Sequence, residues 1–72
     1  MSGGARMGEV VIWVIKEGKT YRAGVSDAKV APIPFSAEII TRVPKCDERI
    51  MFEWVKKRIK RGWPIDKIKA AC

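Results

Sequence analysis

Histidine, leucine, asparagine and glutamine are absent from the 72 residues, and cysteine occurs only at Cys46 and Cys72. Without histidine, the chain lacks the side chain that most often serves as a general base near neutral pH and most often ligates zinc. The two cysteines form no Cys-x-x-Cys pair, so the sequence predicts no metal site, no cofactor and no catalytic residue. Asp27, Glu38, Asp47 and Glu48 supply carboxylates, yet their spacing pairs no acid with a base, which argues against an enzyme. Nothing at the N-terminus resembles a secretion signal. The thiols are therefore expected to be reduced and the protein cytoplasmic. The longest apolar run, Val10 to Ile15, has six residues, whereas a bilayer-spanning helix needs about twenty; no membrane partner is expected. Missing Asn and Gln beside abundant Lys, Arg and Ile is a composition that suits high temperature and points to a thermophilic source. Sixteen Ile and Val stand where leucines would be usual, and nothing in the sequence explains why.

With 47% hydrophobic and 32% charged residues, the chain has the composition of a folding domain rather than a disordered one. Its length leaves room for one small domain, in which about 60 per cent of the unfolded surface is buried. Residues 1–8 carry three glycines and no periodicity and are expected to form a flexible tail, with the domain spanning residues 9–72.

Val10, Val11, Ile12, Trp13, Val14 and Ile15 are β-branched or aromatic at every position, the pattern of a central strand covered on both faces. Lys16-Glu17-Gly18-Lys19 supplies a turn with glycine where a positive φ is needed. Tyr21, Ala23 and Val25 then alternate with Thr20, Arg22 and Gly24, completing a hairpin from Glu9 to Val25. Ala28 to Ala31 reads as a further short strand before Pro32 and Pro34, which belong at an edge or in a loop. From Ser36 to Val43 the β-branched content favours a strand with Ala37, Ile39, Thr41 and Val43 on one face, a short helix being the alternative.

Asp47 and Glu48 place negative charge at the start of a helix expected to run to Arg61. At 100° per residue, Ile50, Met51, Phe52, Trp54, Val55 and Ile59 form its apolar arc; Arg49, Glu53, Lys56, Lys57 and Lys60 form the outer one. Gly62 sits where a left-handed cap belongs, and Pro64 opens a short last helix with Ile65 and Ile68 facing inward. The expected fold is α+β: a three- or four-stranded antiparallel sheet, then an amphipathic helix and a short terminal one.

Fifteen Lys and Arg against eight Asp and Glu give a net charge of +7, which concentrates anions at the surface. Residues 45–72 hold nine basic and four acidic side chains and residues 1–44 six and four, so the positive field belongs mostly to the helical end. Five of the six residues 56–61 are cationic. Lys56, Lys57, Lys60, Arg61 and Arg49, with Trp63 as an aromatic contact, are the expected nucleic-acid-binding residues, duplex DNA being favoured over RNA. The protein then acts as a small regulator or chromatin-like factor. The alternative is a protein-interaction or assembly module that docks an acidic protein partner, Glu53 pairing with Arg49 and Lys57 on a solubilising face. Two helices joined at Gly62 outline a helix-turn-helix, but the second is too short for a reading helix, and an αα-corner closing the core is favoured. Thr20, Arg22, Lys29 and Arg42 on the open sheet face, or Tyr21 and Phe35 against unpaired bases, are secondary routes to a nucleic acid. Trp13 is expected in the core. A sheet this small leaves edges that can pair with a copy of itself, so a homodimer is expected.

Overall fold

A computed structural model describes residues 8–27 and 33–72. It is an α+β fold in which three strands, β1 (Glu9–Glu17), β2 (Thr20–Asp27) and β3 (Glu38–Pro44), precede α1 (Glu48–Lys60) and α2 (Ile65–Ala71). A single 3₁₀ turn, Lys45–Asp47, joins β3 to α1. Both neighbours of β1 run antiparallel to it, in the order β2-β1-β3. The run of β-branched residues is therefore the central strand, with Val10, Val11, Ile12 and Val14 all buried. The hairpin turns at Gly18, whose φ of 63° falls in the left-handed region that costs glycine least. The expected strand at residues 28–31 and the tail at residues 1–7 lie outside the described residues. Gly8 is tied in, its carbonyl accepting a hydrogen bond from Lys45 N at 3.0 Å.

One face of the sheet is covered by the helices. Ile12, Val14 and Ile40 meet Val55, Ile65 and Ile68 there, each burial stabilising by about 1.5 to 3 kcal/mol. On the other face, the Trp13 indole lies over Gly24, its cross-strand partner, and donates Nε1–H to Ser26 Oγ at 2.9 Å. A Cβ on Gly24 would collide with Cζ2, Cη2 and Cε2 of that ring. Trp13 is thus half-buried on the face away from the helices rather than in the main core.

β3 departs from simple alternation. A bulge between Ile12 and Trp13 sets Ile12 opposite Thr41 and Trp13 opposite Ile39. The additional residue, Ile40, turns into the core at 6% exposure, and Ile39, expected to share a face with Thr41 and Val43, is 36% exposed. Bulges re-aim side chains in this way by placing two residues against one.

The helix ends follow local chemistry. Gly62, at φ 85°, lets Trp63 N donate to Arg58 O and Gly62 N to Ile59 O, at 3.1 and 3.0 Å, the bonding pattern of a Schellman cap. Pro64 then starts α2, with Ile65 and Ile68 buried, so α1 and α2 form a corner that closes the core.

Candidate nucleic-acid interface

α1 is built from a stripe that holds it to the sheet and an arc that faces outward. Val55 is its fully buried residue, with Met51, Phe52 and Ile59 packed around it. Ile50 does not belong to that stripe. It stands about 140° around the helix from Val55 and is 70% exposed, because the expected apolar arc is wider than one contact face can cover.

Five of the six sequence-predicted residues are exposed. Arg49, Lys56, Lys57 and Lys60 project from the outer arc of α1, and Arg61 caps it. From Arg49 to Lys60 the stripe runs about 16 Å at 1.5 Å per residue. Its one carboxylate, Glu53, lies 3.4 Å from Lys56 Nζ; the pairings expected with Arg49 and Lys57 are not formed among the described residues. The Lys56 ammonium also sits 4.4 Å from the Phe52 ring centroid. Arg49, Lys57, Lys60 and Arg61 make no ion pair among the described residues. Cations 57, 58 and 60 occupy the last turn of α1, where the helix dipole favours positive charge.

Arg58 leaves the basic run. Its guanidinium stacks 4.3 Å from the Trp54 ring and 5.3 Å from Trp63, and its Nε is buried without a hydrogen-bond partner among the described residues. Trp54 and Trp63 meet edge to face at 6.3 Å, and Lys67 covers Trp63 from outside at 4.3 Å. Trp63 is therefore half-buried and packed on the core, holding the corner between the helices. Such stacks contribute about 0.5 to 2 kcal/mol each. Of the five cations among residues 56–61, Lys56, Lys57, Lys60 and Arg61 are the four left exposed.

The sheet contributes less to this surface. Arg22 is held by Glu17, Nε to Oε2 at 3.1 Å, Phe35 is fully exposed in a turn, and Lys29 lies outside the described residues. One feature that the sequence pattern did not reveal is a groove of about 540 Å³ between β2 and α1. Residues 20–23 of β2 form one wall, and Lys56, Ile59 and Lys60 of α1 form the other. Only the three-dimensional approach of strand to helix creates it.

Cys46 and Cys72 are both exposed free thiols. Partial desolvation pushes the Cys72 thiol above its ordinary value, which lowers its thiolate fraction at neutral pH. Among the described residues, no helix is long and apolar enough to cross a membrane. No protein family, curated protein or solved structure matches the chain.

Proposed function

We propose that the protein binds nucleic acid, duplex DNA in preference to RNA, through the outer face of α1, and acts non-enzymatically as a small cytoplasmic regulator or chromatin-like factor. One observation carries this reading. Arg49, Lys56, Lys57, Lys60 and Arg61 share one exposed surface that holds a single carboxylate, Glu53. Desolvating flexible ammonium groups against one another is unfavourable, and a polyanion with closely spaced phosphates relieves that repulsion while releasing its own counterions. Exposed Ile39 and Ile50 and the outer edge of β3 offer a surface for the homodimer that would double the basic face.

The test is fluorescence anisotropy with duplex DNA, single-stranded DNA and structured RNA across a salt series, alongside the solution mass. The quadruple variant K56Q/K57Q/K60Q/R61Q is expected to reduce the slope of log affinity against log salt by about 3 to 4, at roughly 0.9 per phosphate contact on duplex DNA. An unchanged slope and affinity in that variant would overturn the reading. A second reading, the docking of an acidic protein partner, draws its support from the groove along β2, whose α1 wall shares Lys56 and Lys60 with the outer helix face.

A further inference from the structure

We infer that the groove between β2 and α1 is a strand-addition site for an extended acidic peptide, with carboxylates at alternate positions. This gives the protein-partner reading a definite ligand and does not depend on nucleic-acid binding.

β2 is an edge strand, paired only with β1 among the described residues, so its outer N–H and C=O groups have no strand partner there. Four consecutive residues of that edge, 20–23, line the groove. A regular row of alternating donors and acceptors is complementary to another peptide backbone, the basis of recognition by strand addition. A nucleic-acid backbone presents phosphate acceptors and offers no such alternation.

The opposite wall sets the side-chain preference. Lys56 and Lys60 are one helical turn apart, about 6 Å along the axis. Alternate residues of an added strand point to the same side at intervals of about 6.6 to 6.8 Å. Along an added strand aligned with α1, carboxylates at positions i and i+2 would match the spacing of Lys56 and Lys60. Lys60 has no ion-pair partner among the described residues, whereas Lys56 would exchange or share Glu53. Tyr21, Ala23 and Ile59 give the groove an apolar lining for the peptide's aliphatic stems. Glu17, the acid on its rim, is already paired with Arg22.

Charge also selects against self-association at this edge. A second copy of the chain would bring a net charge of +7 to a wall already occupied by lysines, while an acidic peptide arrives with the complementary sign.

The experiment uses the full chain and labelled peptides of about eight residues, a usual strand length. Three probes are compared by anisotropy: alternating Glu and Val, the same composition with the glutamates contiguous, and the alternating peptide N-methylated at every second amide. Amide hydrogen exchange of Tyr21 and Ala23, whose N–H groups point away from β1 in the alternation of the hairpin, is followed in parallel. The expected result is that the alternating peptide binds about tenfold or more tightly than the other two and protects those amides. K56Q/K60Q is expected to weaken it by about tenfold, the sum of two exposed charge contacts. Equal binding of the N-methylated peptide would overturn the inference, leaving charge attraction without strand pairing. So would protection of the same amides by an oligothymidylate that the alternating peptide fails to displace, which would assign the groove to nucleic acid.

Discussion

The two faces of the sheet are stabilised in different ways. On the helix side, six buried aliphatic residues from β1, β3 and both helices converge without a polar group among them: Ile12, Val14, Ile40, Val55, Ile65 and Ile68. On the far side, where Val11 and its cross-strand partner Ser26 are also buried, one indole is laid over one glycine and fixed by one hydrogen bond, Trp13 to Ser26. The first arrangement is non-directional and gains with every methylene buried. The second requires the absence of a side chain at Gly24, so its sensitivity lies in shape.

That contrast can be broken most severely at Ile68, which is fully buried. Ile68→Ala is expected to cost about 2 to 5 kcal/mol, a large part of what a small domain has, read as a shift in the chemical-denaturation midpoint. A loss below about 1 kcal/mol would mean that α2 is not integral to the core.

A smaller effect is expected at Gly24. Gly24→Ala should cost about 1 to 3 kcal/mol by displacing the indole, and the Trp13 Nε1–H resonance should move as its bond to Ser26 is lost. In a Trp13→Ala background, the same substitution should be nearly neutral, since the collision no longer exists. Additive losses would show that Gly24 is required for some other reason.

The smallest effect concerns a charge at the rim of the helix-covered face. Lys69 Nζ donates to Glu38 Oε2 at 2.9 Å, and this hydrogen bond, with the attraction of the same carboxylate, holds the Lys69 pKa above the ordinary lysine value. A base whose pKa is raised by folding contributes its stabilisation fully at neutral pH. That contribution is lost as pH rises through the lysine's own titration. Stability measured from neutral into strongly alkaline solution should therefore fall slightly less steeply in Glu38→Gln than in the parent. An identical alkaline profile would mean that the pair contributes nothing, as is common for exposed ion pairs.

Much of this arrangement is legible in the residues. The unbroken β-branched run of residues 10–15 becomes the central strand, Gly18 turns the hairpin, and Gly62 with Pro64 punctuates the helices. These positions are readable because backbone sterics act locally. Strict alternation sets Ile39 beside Thr41 and Val43 and Ile40 opposite them, because it presumes a regular ladder; the bulge, which exchanges their exposure, arises only in the pairing of β3 with β1. Arg58 looks in sequence like one more cation of the basic run, and only the folding back of Trp63 at Gly62 turns it between two indoles. The exposed cations 56, 57, 60 and 61 follow directly from helical periodicity, whereas the groove beside them depends on which strand α1 overlies.

The strand order has a consequence for how the chain is made. β1 lies at the centre of the sheet but leaves the ribosome before either neighbour. β2 can fold back on it almost at once, whereas the opposite flank of β1 must wait for residues 38–44, and its helix-covered face waits until Ile68 has been synthesised. During elongation, the most aggregation-prone segment of the protein is thus the one exposed longest.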